Sequence, residues 1–341
     1  MSNVFKLLLV KNDGRKTYDI TPIVGTFAWD SNLSLLAGME FNLTWNDTRF
    51  FPSNPCDLGD VVILMKDSEE VHRGVIVSEG RTGREAIKYT VYDYGWYLGK
   101  SKSVYQFNKI PASQAITRIL NDFGMIIGSV PAMNTLIDEI YLEKSPAEII
   151  EDIYKREERH TGKRFNVELR QGKIYFELMQ DLVIKGTFKL ADNIEPYDVL
   201  SNPLGADRKR SIENMRNRVK ILIERDNDDK EKPKYEVVAT AEDAPLISKY
   251  GLLEDTFKID AADAAKAREV SRILLQRLAR IQETNGLKLM GDVAFKAGRL
   301  LDVDEPITGT SGQYMILTAK HNVSNQIHTM DLEFTLPENV K

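Results

Sequence analysis

A single cysteine, no long apolar run and no excess of positive charge set the first limits on this 341-residue chain. Cys56 alone forms neither an internal disulfide nor a cysteine-based zinc cluster, which favours an intracellular site of synthesis. It follows Pro55 in a turn-like stretch and reads as a buried or idle thiol rather than a nucleophile. No stretch approaches the ~18 consecutive apolar residues of a membrane span. The one short apolar patch between Met1 and Val10 contains Lys6, unlike a signal peptide. The expectation is a chain folded in the cytosol that leaves it by lysis or through a dedicated machine. With 46 basic against 51 acidic residues the net charge is -5, which argues against binding a phosphate backbone as the main task.

Catalytic patterns are also missing. Of the four histidines, His72 lies among strand residues, His160 at a helix end, and His321 and His328 bracket a turn. None has the spacing of a zinc site, so structural roles are expected. Gly80-Arg81-Thr82-Gly83 is too short for a phosphate loop and reads as a hairpin turn. Asp302, Asp304 and Glu305 evoke a glycosidase or cation site, since alternation puts Asp302 and Asp304 on one face, but a solvent-facing strand edge explains them better. There is no Gly-x-Ser-x-Gly elbow. The expectation is a protein that is not an enzyme, with no catalytic, cofactor-binding or metal site and no cofactor.

What the chain does contain is strand and turn signals. Near the C-terminus, Leu287 to Met290, Gly298 to Val303, Tyr314 to Lys320 and Thr329 to Leu336 read as four strands separated by turn residues. Before them, Ala267, Val270, Leu274, Leu278 and Ile281 recur at helical spacing, placing a long helix at 261–283. In the first hundred residues Phe41, Leu43 and Trp45 alternate with polar neighbours, and Val61 to Met65, Val75 to Val77 and Ile87 to Val91 follow. Asn12-Asp13-Gly14 marks an earlier hairpin. Between these β regions the period turns helical. Pro111 and Ser113 introduce one helix through Ala115, Ile116, Ile119, Leu120 and Phe123 that Gly124 ends, and Ser145-Pro146 with Glu148 caps a second that Gly162 closes. A hairpin then crosses Gln171-Gly172. The segment 224–234 is almost wholly charged and reads as a solvated hairpin loop, the alternative being a loop ordered only by a partner surface.

The predicted fold is mainly β with α+β: two similar small β-barrel domains flank a small α+β domain, and the long helix packs on the second barrel. The boundaries are 1–100, 101–190 and 191–341. Similarity of the barrels rests on an internal echo, in which Gly59-Asp60 and Gly298-Arg299 each open a strand whose successor begins near Val75 and Tyr314.

The ordered run Phe41 to Trp45, Gly59 to Val62, Arg73 to Ile76, Tyr89 to Asp93, Ile116 to Gly124, then Ile307 to Gly309 and Gly312 to Ile316 resembles the baseplate hub proteins of contractile phage tails. The likeness is to the XkdQ-type, late control protein D-like hubs of PBSX-like prophages and tail-like bacteriocins. It implies a homotrimeric structural protein whose six barrels present pseudo-sixfold symmetry to a hexameric tail tube and threefold symmetry to a trimeric spike. It implies as partners the tail tube protein, the spike and other baseplate proteins, and the tape measure protein as a further candidate. Specific nucleic acid and direct membrane insertion are not expected. Synthesis in the bacterial cytoplasm, assembly into the virion tail and release by lysis follow. A tail-associated cell-wall hydrolase and a soluble carbohydrate- or oligonucleotide-binding barrel protein stand as alternatives.

Overall fold

A computed structural model describes residues 5–44, 53–184, 205–225, 234–305 and 309–339. The N-terminal half is a run of strands, β1 (Phe5–Val10), β2 (Thr17–Asp19), β3 (Val24–Asn32), β4 (Gly38–Leu43), β5 (Val61–Lys66), β6 (Glu69–Gly80) and β7 (Ile87–Tyr92). Alternation explains them: Leu7 and Leu9, then Phe41 and Leu43, then Tyr89 and Val91 point to one core while their neighbours face outward. Trp45 lies outside the described residues.

A compact α+β unit follows: α1 (Gly95–Lys100), β8 (Ser103–Pro111), α2 (Ala112–Asp122), β9 (Ile126–Ser129), β10 (Leu136–Lys144), α3 (Pro146–Thr161), β11 (Phe165–Arg170) and β12 (Lys173–Leu178). The local signals act as expected here. Ser145 and Glu148 form a reciprocal capping box, with Pro146 in the first turn, and Gly162 ends α3 at φ +74°. Gln171 and Gly172, at φ +50° and +74°, make the tight turn between β11 and β12. Ile116, Ile119 and Leu120 of α2 meet Ile149, Ile150 and Ile153 of α3 in a core separate from that of the strands before it.

Beyond β13 (Val183–Ile184), the chain forms β14 (Gly205–Ser211), β15 (Arg218–Arg225), β16 (Lys234–Glu242), α4 (Ala244–Tyr250), β17 (Glu254–Lys258) and α5 (Ala267–Leu278). The last strands are β18 (Gln282–Met290), β19 (Leu300–Glu305), β20 (Thr310–Ser324) and β21 (Ile327–Thr335). Two expectations change here. The helix is shorter than 261–283: Ala261–Lys266 is 3-10 helix, and from Gln282 the chain is already strand β18. It also packs elsewhere. Ala267, Val270 and Leu274 bury against Val219, Ile221 and Ala239 of the three-stranded sheet β16-β15-β17, so the helix covers this sheet and not the C-terminal strands. The apolar face is as read. Its partner is the hairpin that flanks the charged segment, of which residues 226–233 lie outside the described region.

The strands of both halves belong to one 13-stranded sheet, which runs β14-β18-β21-β20-β3-β4-β7-β6-β5-β1-β2, with β19 on β20 and β13 on β19. No closed barrel forms among the described residues. The two halves nevertheless share a strand order. Reading β3-β4-β7-β6-β5-β1 against β14-β18-β21-β20-β19-β13 matches each strand to one in the other half. The outermost pair differs in sense, since β1 is antiparallel to β5 and β13 parallel to β19.

The echo read from glycine spacing has a hydrogen-bond counterpart. Gly59 N–H donates to the Ile76 carbonyl and Ile76 N–H to the Asp60 carbonyl, each at 2.9 Å. In the second half, Gly298 donates to Ile316 and Ile316 to Arg299, again at 2.9 Å. Each long strand then bulges one residue later, between Ile76 and Ser78 and between Ile316 and Thr318. Both glycines have positive φ, +86° at Gly59 and +76° at Gly298. A methyl group there is strained in either half, by about 1–2 kcal/mol. At Gly298 it would also sit 2.0 Å from the Asn166 side chain, against 3.4 Å from Asn12 at Gly59. Gly298→Ala is therefore expected to lower stability by more than Gly59→Ala, in denaturant titrations of the two variants. Equal losses would show that backbone strain alone sets the cost.

Candidate assembly surface

The long strand β20 joins the halves. Its first part, Thr310 to Met315, pairs with β19, and after the bulge Thr318 to Val323 pair with Asn32 to Phe27 of β3 on the same edge. The side chains at this joint are aromatic. The His321 ring stacks on Trp29 at 4.6 Å between centroids and 4° between planes, and His328 packs edge-on to Phe5 at 5.2 Å. Val293 and Val323, from the second half, enter the core of the first.

The histidine pair is fixed by its partners. His321 Nε2 lies 2.9 Å from the Phe295 carbonyl oxygen, an acceptor only, so Nε2 carries the proton. Nδ1 then accepts from His328 Nε2–H across 3.0 Å. Both rings are neutral in this arrangement. Burial lowers His321 to about 4, and burial with the neighbouring His321 lowers His328 to about 3. The expected structural role is thus specific: the two rings are the polar part of the joint. Sequence spacing carried no sign of this, because Trp29 and His321 are brought together only by the pairing of β3 with β20.

The other residues singled out in the sequence are scattered. His72 is buried in β6, lowered to about 4 by desolvation. His160 contacts Thr135 at 3.3 Å at the end of α3. Asp302 is exposed on β19; the side chains of Asp304 and Glu305 lie outside the described residues. Cys56 is buried and its thiol is pushed up to about 12. Among the described residues no group of three His, Cys, Asp or Glu side chains is placed to hold a metal, and no helix is long and apolar enough to cross a membrane. A cleft of about 300 Å³ separates α3 from the segment before α5. Its central cation, Arg156, is paired with Asp152 and Glu139 at 2.9 Å, so the charges there answer one another.

The glycine motifs carry different side chains to different places. Asp60, buried after Gly59, accepts from Lys11 Nζ at 2.5 Å and from Asn12 N–H at 3.0 Å, tying β5 to the β1–β2 hairpin. Arg299, after Gly298, donates to Glu168 at 2.6 Å and ties the second half to β11 of the α+β unit. That unit also presents an apolar ribbon to solvent, with Val104, Ile140 and Leu142 more than half exposed on β8 and β10.

The joint has a pH signature. A histidine lowered by folding leaves the unfolded chain with more bound protons, so stability is intact above about 6.5 and falls as pH drops toward about 4. Asp93, raised to about 7 chiefly by burial, works in the opposite direction over the same range. His328→Gln, which keeps a donor toward His321, is expected to remove up to about 1.4 kcal/mol per pH unit from the acid-side slope of unfolding free energy. An unchanged slope in urea titrations from pH 6.5 to 4 would place the acid sensitivity elsewhere.

Comparison with known proteins agrees with this architecture. The YQBQ-like family model matches residues 27–335. The uncharacterized protein YqbQ of Bacillus subtilis is 24% identical over 279 residues, 81% of this chain and 80% of that protein. The phage-like element PBSX protein XkdQ of the same organism is 24% identical over 291 residues, 83% of this chain and 84% of that protein. Among solved structures, the 43 kDa tail protein of prophage MuSo2 from Shewanella oneidensis shares the fold with a TM-score of 0.69 at 14% identity, covering 98% of this chain and all of that one. A family model spanning both halves, the joint between them and the α+β unit makes this chain a member of the YQBQ-like family.

Proposed function

We propose that the chain is a structural component of a phage tail or tail-like particle, working as a trimeric hub between the hexameric tail tube and the trimeric spike. The observation that carries this reading is the repeated strand order, joined within one chain by β20 and β3. A chain with two like halves supplies six like units when three copies close into a ring, so one ring meets a sixfold and a threefold neighbour together. The relatives support the tail setting by name: XkdQ belongs to the phage-like element PBSX, and the Shewanella protein is a prophage tail protein. The two strand-built halves act as the small barrels of the ring. The boundaries 1–100, 101–190 and 191–341 serve as working domain limits, with the sheet β16-β15-β17 and α5 as an outward addition to the third.

Tail tube, spike and other baseplate proteins are the partners in this reading, with the tape measure protein as a further candidate. The protein is made in the bacterial cytoplasm, assembled into the particle and released by lysis. Catalysis is not its task, and it needs no cofactor. The exposed Asp302 lies on β19, opposite Gln313 of β20.

Cryo-electron microscopy of intact tails tests this directly. Three copies should lie at the tube-to-baseplate junction, with six strand-built units around an open axial channel. A protein found outside the axis as a single-copy appendage would sink the hub reading. Asp302→Ala should leave particle infectivity or killing unchanged. Its loss in normally assembled particles would revive the hydrolase alternative.

A further inference from the structure

Among the described residues, the matched strand orders of the two halves leave two strand edges without the partner that their counterparts have. In the second half, the edge of β20 beyond its bulge is covered by β3, with Thr318 opposite Asn32, Ala319 opposite Ser31 and Lys320 opposite Asp30. In the first half, the corresponding edge of β6 beyond its bulge is Ser78, Glu79 and Gly80, all exposed. The counterpart of β3 is β14, which ends the sheet path and, among the described residues, pairs only with β18. Its Asp207, Arg208, Lys209 and Arg210 are exposed. The two edges lie seven strands apart in the sheet order of one chain.

Resting on the trimeric reading above, we propose that β14 of one copy adds antiparallel to the free edge of β6 in the next, repeating between chains the joint that β3 and β20 make within one. The internal pairings set the register. Trp29 opposes Met39 as Arg208 opposes Asn285, and Met39 opposes Val91 as Asn285 opposes Phe334. Ile76 opposes Val91 as Ile316 opposes Phe334, which makes Ser78 the counterpart of Thr318 and Ser211 that of Asn32. Ser78 then faces Ser211, Glu79 faces Arg210, and Gly80 faces Lys209 of the adjoining copy.

Charge agrees with that register. Opposite residues in an antiparallel pair share a face, so Glu79 comes beside Arg210, whose side chain is 57% exposed and only 3.9 Å from Glu283 within its own chain. A basic edge also discourages unrelated strands while accepting an acidic one. One position further, Arg81 would approach Arg208. The chain leaves the strand after Gly80, and Arg81 turns back to Glu79 at 3.2 Å, so the registered pairing is three residues long. The contact is head-to-tail, uses different surfaces on its two sides, and closes as a ring.

Tail particles built with Ser78→Cys and Ser211→Cys in one chain test this. After mild oxidation, non-reducing gels should show linked dimers and trimers, about tenfold above an out-of-register control, Ser78→Cys with Arg208→Cys, because a disulfide needs Cα atoms about 5.5 Å apart. Buried Cys56 alone should give none. Glu79→Arg and Arg210→Glu should each reduce linkage in that background, and the double exchange should restore it. No linkage in particles whose images show three copies at the junction, or equal linkage in the offset control, would overturn the register and leave the hub reading standing. Particles with one copy would overturn both.

Discussion

The structure depends on one strand that changes partners part-way along its length. β20 pairs with β19 before its bulge and with β3 after it, with β21 on the other edge from Met315 onward. A bulge makes the change possible: it adds a residue to one strand, turns the edge and increases the local twist. The two hydrogen bonds between Ile316 and the Gly298-Arg299 corner hold the strand just before the switch. Without that corner, β20 has no reason to release β19 where it does, and the halves lose their joint.

The same backbone device serves two ends because different side chains were set upon it. Asp60 turns its corner inward to Lys11 and completes the first half, whereas Arg299 turns its corner to Glu168 and anchors the α+β unit. Arg299 and Glu168 are both largely buried, and Arg170 also reaches Glu168 at 3.1 Å, so the carboxylate keeps a cation on either side. A buried charged pair at an inter-unit contact contributes orientation more than net stability, since desolvation consumes much of its attraction. The joint itself is packed by aromatic rings, Trp29 stacked on His321 and His328 edge-on to Phe5, whose burial contributes its favourable free energy.

Local signals were legible in the sequence wherever one turn or cap sufficed to specify the backbone. Ser145, Pro146, Glu148 and Gly162 bounded α3, and Gln171-Gly172 marked a hairpin, because each acts through neighbours within a few residues. Strand positions from Phe41 to Val91 and from Leu287 to Leu336 followed from alternation. The partner of α5 was not legible, since an apolar helix face says only that something covers it. Proximity in sequence pointed to the last four strands; the hairpin of β15 and β16 supplied the cover. The aromatic joint was hidden for a related reason. His321 and Trp29 are separated by nearly the whole chain, and only the switch of β20 brings them into register. Repetition of the halves was partly visible at Gly59 and Gly298, but the carbonyls those glycines address were not.

Divergence between the halves has a direction. Where the internal joint presents Trp29, His321 and His328, the edges of the proposed second joint present Glu79 and the run Arg208, Lys209, Arg210. An intrachain joint forms at the effective concentration set by its own tether and never needs to come apart, so apolar burial suits it. A joint between separate copies must first be found by diffusion and must not form with every exposed strand in the cell. Charge meets both needs, since it speeds encounter and rejects like-charged edges more than it deepens affinity. In the proposed ring, repetition of one strand order would thus give a permanent seam within a chain and a selective seam between chains, the difference being carried by a few side chains beside each bulge.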